Sequence, residues 1–464
     1  MQRGVAVWSA VGFLLVGLAG CLSDDPVDEA AQGANDALAP WIDPIILGHD
    51  HADPMAHDLA NNMELVGFHP LGDDASPWRS ISEIDVAGDH AFVGLMGYGF
   101  AIVDLTDPTQ PNLTATVEVT SPDRLSPLGA YIADLKVDAE GNWVFVALEL
   151  STTPGVLIYD ARDKANPTLA GFWPEPGLLL GCHMIEYAII NEQEYLFCAP
   201  LDNAVYVGRL LPATGGIREV VQVARWMPTS PQFIGQQGEA AQTYIENGDP
   251  IGAGLHFVSG HQDMTHQVDP LTGADILTVS FWNLGLHFVD VSLPEVPVEM
   301  GSWAGEQADK WDGVLHTSMV FESEGRRIAV TTPEGARPPA MFILDATDYD
   351  DPQVLSQWMA APDFEGEDGA FSLHNFQIVG GKIYLAHYHG GLWVLDVSTP
   401  ELQADPKPLG TYLPWDRETG RGCCGGSWDV VVYNGYVISA NTGGLYVTHL
   451  TGDPAGDDTY SSGA

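Results

Sequence analysis

Short apolar runs that end in an acidic turn recur along the chain at near-regular intervals. Five copies share an apolar run, an Asp and a following Pro, and they begin at Gly99, Gly155, Gly285, Met341 and Gly391. Two degenerate copies begin at Ala204 and Gly444. Repetition of one short unit predicts a single supersecondary structure that is used seven times.

Each repeat divides into four predicted strands. An opening strand alternates apolar and polar residues, as in 183–190 and 374–380, and a second strand follows a short turn, as in 91–96. The third strand carries the repeat, and a fourth combines a small residue with an aromatic one, as from Leu169. Period-two alternation bounded by Gly, Pro and Asp indicates strands, and no amphipathic helix is predicted between repeats. The pattern predicts an all-β fold, a seven-bladed β-propeller of four-stranded antiparallel blades.

The spacing of the repeats supports the number of blades. Equivalent positions are 48 to 56 residues apart, except for an 82-residue step from Gly208 to Asp290. The surplus predicts an insertion at about 229–260 and not an eighth blade. The last repeat lacks a fourth strand, whereas 63–70 has the pattern of one. We therefore predict that this N-terminal strand completes the last blade and closes the ring, which leaves no unpaired edge at the seam.

The Asp that ends each clear repeat has a structural interpretation. Its side chain can accept hydrogen bonds from backbone N–H groups of the turn, and the Pro that follows prevents the strand from continuing. These residues are Asp104, Asp160, Asp290, Asp345 and Asp396.

The repeats resemble LVIVD repeats, which occur in secreted and surface β-propellers of bacteria and archaea. The motif matches well at Ala101–Asp104, Leu286–Asp290, Phe342–Asp345 and Leu392–Asp396, and the resemblance covers roughly 63–451. The Asp is missing from two copies, which have Gly208 and Thr448 instead. This resemblance implies the architecture and almost no reaction chemistry.

The chain is strongly acidic, with 17 basic and 63 acidic residues and a net charge of −46. This charge repels nucleic acid and anionic lipid, so neither is expected as a partner. The acids form either a solvated coat suited to high salt or a surface that collects cations. We favour the first interpretation because the acids are spread along the chain.

The N-terminus has the features of an export signal. Residues 1–20 combine Arg3 with an apolar run, and Leu18-Ala19-Gly20-Cys21 resembles the lipobox of prokaryotic lipoproteins, which implies lipidation of Cys21 and anchoring to a membrane. The alternative is an ordinary signal peptide cleaved nearby. Residues 21–62 then form an acidic linker, 63–451 the propeller and 452–464 a loose tail, on the extracellular face of the membrane.

Histidines recur where the first strands of the later blades open. In a propeller, the connections from all blades converge on the face where these strands begin. His183, His266, His316 and His374 are our candidate ligands for copper or zinc, with His261 as a substitute for His266. The alternative is that these histidines bond their neighbours around the channel. A distant similarity to copper-dependent selenium-binding proteins, which oxidise methanethiol, rests on 315–318, but Met319 stands where that family has its second His.

Four further cysteines lie downstream of Cys21. Cys182 and Cys198 fall on neighbouring strands of blade three, where a hairpin brings them towards each other, and we favour a structural disulfide between them. Cys423 and Cys424 form a vicinal disulfide, pair elsewhere or bind metal, and the sequence does not decide among these.

Two functions fit these observations. The first, which we favour, is a lipid-anchored extracellular propeller that binds a protein, glycan or other ligand on its convergent-loop face. It rests on the repeats, the anchor and the absence of familiar catalytic motifs from the sequence. The second is a metal-dependent extracellular oxidoreductase that uses copper or zinc at the histidine cluster.

Overall fold

In the computed structural model, the described residues are 59–72, 80–119, 131–149, 155–174, 181–200, 204–228, 261–281, 285–303, 314–334, 340–360, 372–388, 390–414, 426–441 and 443–451. Within these ranges the chain forms 29 strands and one five-residue helix. No helix in these ranges has the length and apolarity needed to cross a membrane.

The first two strands are β1 (Leu59–Asn61) and β2 (Met63–His69). They belong to blades 6 and 7, whose other strands come from the C-terminal part of the chain. Blades 1 to 3 follow in order. Blade 1 consists of β3 (Ser80–Ala87), β4 (His90–Met96), β5 (Gly99–Asp104) and β6 (Asn112–Glu118); blade 2 of β7 (Tyr131–Val137), β8 (Trp143–Glu149), β9 (Gly155–Asp160) and β10 (Thr168–Pro174); blade 3 of β11 (Cys182–Ile190), β12 (Gln193–Pro200), β13 (Val205–Leu210) and β14 (Val220–Trp226).

Blades 4 to 7 repeat the same order of strands. Blade 4 consists of β15 (His261–Val268), β16 (Asp275–Phe281), β17 (Gly285–Asp290) and β18 (Val298–Trp303); blade 5 of β19 (Val314–Ser323), β20 (Arg326–Glu334), β21 (Ala340–Asp345) and β22 (Gln353–Met359); blade 6 of β23 (Phe376–Val379), β24 (Lys382–Ala386), β25 (Leu392–Asp396), helix α1 (Pro400–Ala404) and β26 (Lys407–Leu413); blade 7 of β27 (Asp429–Tyr433), β28 (Tyr436–Asn441) and β29 (Gly444–Leu450).

The blades form a closed ring. The first strand of each blade packs against the first strand of the next, in the order β3, β7, β11, β15, β19, β23 and β27, and β27 packs against β3. One cluster of buried apolar side chains lies between each pair of neighbouring blades. The third strands are therefore covered on both faces, which explains why they are continuous apolar runs. The prediction of a seven-bladed propeller is confirmed.

The N-terminal strands close the ring as predicted, and they extend further than predicted. Strand β2 pairs antiparallel with β29, so it supplies the outer strand of blade 7. Strand β1, which we expected to be linker, pairs with β26 and makes blade 6 five-stranded. Asn62 joins the two strands in a left-handed conformation (φ 54°), and its carbonyl accepts a 2.8 Å hydrogen bond from the Thr451 backbone N–H.

The Asp at the end of each clear repeat has the turn-forming role that we predicted. In all five, a carboxylate oxygen accepts a hydrogen bond of 2.8 to 3.1 Å from the backbone N–H two residues later. The predicted insertion at 229–260, the linker before residue 59 and the tail after residue 451 lie outside the described residues.

Candidate metal centre at the channel mouth

His316 reaches the channel from the start of β19, in blade 5. The pairing of β19 with β20 shifts register between Leu315 and Ser318, so His316 and Thr317 lie in an irregularity of the inner strand. The His316 side chain is buried, and its Nδ1 lies 2.9 Å from the Thr317 hydroxyl.

His374 occupies the corresponding position in blade 6, just before β23. Its ring centroid lies 3.9 Å from that of His316 and 4.4 Å from that of Trp428. Its Nδ1 lies 2.8 Å from the Trp428 backbone carbonyl oxygen, which can only accept a hydrogen bond. Nδ1 therefore carries the proton, and Nε2 of His374 presents a lone pair.

Glu334 supplies a carboxylate to the same place from the end of β20, opposite the start of β19. The Tyr388 hydroxyl donates a short hydrogen bond to Glu334, and Tyr388 itself has an unusual positive φ of 30°. One donor atom each from His316, Glu334 and His374 lies within 4.8 Å of the other two. Two imidazoles and a carboxylate at such separations form a donor set for a transition metal.

Burial keeps both imidazoles neutral at neutral pH. Desolvation, with the charges of His374 and His183, holds the pKa of His316 well below its usual value. Desolvation also lowers the pKa of His374 to about 3, although the bond to the Trp428 carbonyl opposes the shift. Neutral imidazoles are the form that binds metal, so protons do not compete for these nitrogens at neutral pH.

His183, another predicted ligand, lies in an irregular register between Cys182 and Met184 of β11. It is close enough for its charge to act on this group, but among the described residues the donor atoms that converge are those of His316, Glu334 and His374. Burial raises the pKa of Glu334, and the Tyr388 hydrogen bond and the charge of His183 oppose that shift. The same charge adds to the effect of burial in lowering the pKa values of His316 and His374. Cys182 forms a disulfide with Cys198, with the Cα atoms 5.6 Å apart. The disulfide joins the first two strands of blade 3 at the residue that precedes His183.

The structure does not bring His266 to the channel mouth, which corrects our proposed ligand set. His266 lies near the far end of β15, where its Nε2 contacts Asp275 Oδ1 at 3.1 Å. It is six residues into a strand of eight, whereas His316 is near the start of its strand. His261 does begin β15 on the convergent-loop face, but its side chain lies outside the described residues, as do Cys21, Cys423 and Cys424.

Sequence reasoning missed Glu334 and Tyr388, because Glu334 ends a second strand, Tyr388 follows one, and we searched only the openings of first strands. It also missed a group of buried charges inside the channel. The Lys136 ammonium lies 2.9 Å from Asp134 Oδ1, and Glu83 and Glu186 are close enough for their charges to act on Lys136. Burial opposes its charge, but these carboxylates raise the pKa of Lys136 well above its usual value.

A signal for these acids was present in the sequence. Glu83, Asp134, Asp263 and Asp429 each lie near the opening of a first strand and directly precede an apolar residue. These acids lie in blades 1, 2, 4 and 7. In the described residues, the histidines whose side chains lie at the channel mouth belong to the other three blades, which are blades 3, 5 and 6. Blade 3 also contributes an acid, Glu186, farther along its first strand.

The comparisons with known proteins concern the repeat and the fold. A family model for the LVIVD repeat matches residues 79–119. This LVIVD match corresponds to blade 1, and the other blades repeat its strand order. No curated protein matches the chain.

Solved propellers are similar at low identity. The β-propeller domain of Cps50 (Swd1) from Myceliophteria thermophila has a TM-score of 0.46 and 11% identity, over 80% of this chain and 99% of that one. The computationally designed Ika8 protein has a TM-score of 0.43 and 10% identity, over 83% of this chain and 98% of that one. The pairing of the strands themselves establishes the seven-bladed propeller.

Proposed function

We propose that this propeller binds a divalent transition metal ion at the channel mouth, through His316, Glu334 and His374, and uses it to bind an extracellular ligand. The convergence of three donor atoms to within 4.8 Å carries the proposal. Three donors that each bond one ion at about 2.1 Å lie about 3.4 Å apart in tetrahedral geometry and about 3.6 Å apart in trigonal geometry. A contraction of at most about 1.4 Å therefore brings all three atoms into bonding distance.

The donor set favours zinc or copper, the metals expected from the histidine pattern. Imidazole nitrogen suits both metals, and two histidines with one glutamate occur in zinc sites that keep a coordination position open. The bond from His374 to the Trp428 carbonyl and the bond from Tyr388 to Glu334 resemble the outer contacts that orient metal ligands. A bound ion would polarise a ligand at the open position, and copper would also exchange electrons with it.

The position of the centre suits ligand binding on the convergent-loop face. All three donors lie at strand ends on the face where the connections between blades enter. A ligand that offers nitrogen, oxygen or sulfur to the ion would therefore meet loops from several blades. The LVIVD resemblance supports a binding propeller without supplying a reaction.

The N-terminal sequence supports placement of the propeller outside the cell. The apolar run of 1–20 and the lipobox-like Cys21 favour export and lipid anchoring, and the acidic stretch after Cys21 would hold the propeller away from the membrane. Replacement Cys21→Ser should release the protein from the membrane fraction into the medium. Retention of the variant in that fraction would contradict the anchor.

Elemental analysis tests the metal centre directly. Protein purified without chelator and without a nickel column should contain about one zinc or copper ion per chain. His316→Ala and His374→Ala should each reduce that content at least tenfold, because two ligands bind far more weakly than three. Circular dichroism and thermal melting establish that each variant is folded.

His266→Ala is the matched control, because it also removes a buried imidazole but lies outside the donor group. Its metal content should equal that of the parent protein. Metal-free parent protein that fails to bind added Zn²⁺ or Cu²⁺ at micromolar concentration would overturn the proposal. Equal loss of metal in the His266 variant would also overturn it, since the loss would then not be specific to the three ligands.

A further inference from the structure

A line of hydrogen bonds leads away from His316 through buried side chains. His316 Nδ1 lies 2.9 Å from the Thr317 hydroxyl oxygen, and that hydroxyl donates a 2.8 Å bond to Asn375 Oδ1. The Asn375 amide in turn donates a short bond to a carboxylate oxygen of Glu83. All four side chains are buried, with at most 6% of each residue exposed.

The Glu83 carboxylate, at the end of the line away from His316, determines which group donates and which accepts in each hydrogen bond. Both Glu83 oxygens accept, one from Asn375 and the other from Trp428 Nε1 at 2.9 Å. Asn375 must therefore direct its nitrogen to Glu83 and its oxygen to Thr317. The Thr317 hydroxyl has one proton, which it donates to Asn375 Oδ1.

Since its proton is committed, the Thr317 oxygen can only accept from His316. We propose that Thr317 is the positioning residue that sets the tautomer of His316, and that Asn375 and Glu83 hold Thr317 in that role. His316 then carries its proton on Nδ1 and directs the Nε2 lone pair towards His374 and Glu334. This inference rests on the proposed metal centre.

Without the Thr317 hydroxyl, the preferred tautomer of His316 should reverse. A buried N–H that has lost its acceptor is costly, whereas Nε2–H would find the Glu334 carboxylate nearby. The proton would then occupy the position of the metal. His374 should not change, because a backbone carbonyl fixes its tautomer.

The test compares Thr317→Val, which keeps the shape of the side chain, with Thr317→Ser, which keeps the hydroxyl. Long-range proton–nitrogen spectra of histidine-labelled, metal-free protein report the tautomer of each ring. His316 should be protonated on Nδ1 in the parent and in Thr317→Ser, and on Nε2 in Thr317→Val. Affinity for Zn²⁺ should fall 10- to 100-fold in Thr317→Val and recover in Thr317→Ser.

Thr331→Val is the matched control, since Thr331 is buried in the same blade and bonds to Ser318, outside this line. It should leave the tautomer and the Zn²⁺ affinity unchanged. An Nδ1-protonated His316 in folded Thr317→Val would overturn the inference, whatever the affinity. If the parent binds no Zn²⁺ but the tautomer reverses, the metal proposal fails and the positioning role of Thr317 stands.

Discussion

Trp428 Nε1 donates a 2.9 Å hydrogen bond to Glu83, a partner 345 residues earlier in the chain. Trp428 directly precedes the first strand of blade 7, and Glu83 lies in the first strand of blade 1. The bond therefore joins the last blade of the ring to the first. The same Glu83 carboxylate accepts from Asn375 in blade 6. One buried acid thus connects three blades at the level of the candidate metal centre.

We expect Glu83→Ala to destabilise the propeller, because two buried donors lose their acceptor. Each unsatisfied donor costs about 1–3 kcal/mol, so the free energy of unfolding in urea should fall by about 2 kcal/mol or more. Glu118→Ala, on the exposed outer strand of the same blade, should change it by less than about 0.5 kcal/mol. Equal stability of the two variants would show that the bonds of Glu83 do not hold the seam.

Lys136→Met should destabilise the protein at neutral pH. Lys136 places a positive charge among buried carboxylates, and its removal leaves Asp134 and its neighbours uncompensated. Loss of one partner of a buried ion pair costs about 3–5 kcal/mol, which urea unfolding at pH 7 would detect. Lys407→Met removes an exposed partner of Asp405 and should have little effect. A loss in Lys136→Met that is no larger than in Lys407→Met would contradict the prediction.

Asp263 should make stability depend on pH. Burial raises the pKa of Asp263 to about 7 from an ordinary value of 3.8, although Lys136 opposes the shift. The folded state therefore holds this proton more tightly than the unfolded state, and the resulting stability is lost as the pH rises from about 4 to 7. The free energy of unfolding of Asp263→Asn should consequently fall less between pH 4.5 and 7.5 than that of the parent.

The comparison with the parent isolates Asp263 from other titrating groups. The buried imidazoles of His316 and His374 act with the opposite sign, because their lowered pKa values make the folded state lose stability as the pH falls. Asp350→Asn, on an exposed turn, should reproduce the pH dependence of the parent. The same slope in Asp263→Asn would show that this carboxyl does not hold the proton.

Deletion of Met63–Pro70 should destabilise the whole ring. Strand β2 provides the outer strand of blade 7, so its removal leaves the outer edge of β29 unpaired. Blade 7 is also the blade in which the N-terminal and C-terminal parts of the propeller meet, so the deletion removes their pairing. Hydrogen exchange should become faster in all seven blades and the melting temperature should fall by several degrees. Deletion of residues 1–58, which leaves β1 and β2 in place, is the control. Faster exchange confined to β29 would indicate local fraying and contradict the prediction.

The sequence by itself determined the architecture of this protein. Strand order, the number of blades and closure by β2 all follow from local features: the apolar period, the turn-forming Asp and Pro, and the spacing of repeats such as those ending at Asp104 and Asp396. These features act over a few residues and recur, so each copy supports the interpretation of the others. The addition of β1 to blade 6 was not predictable, since three residues at an outer edge have no distinctive pattern.

Only the tertiary structure decided which side chains form the candidate centre. His266 and His316 both lie on the first strands of their blades. His316 lies near the start of its strand, in a register irregularity, whereas His266 lies near the far end of its strand, so the two side chains are at opposite ends of the channel-facing strands. Glu334 enters from a second strand, and Glu83 joins the network from the other side of the seam. Spacing along the chain does not determine such contacts, because they depend on register and on the closure of the ring, which bring distant residues together.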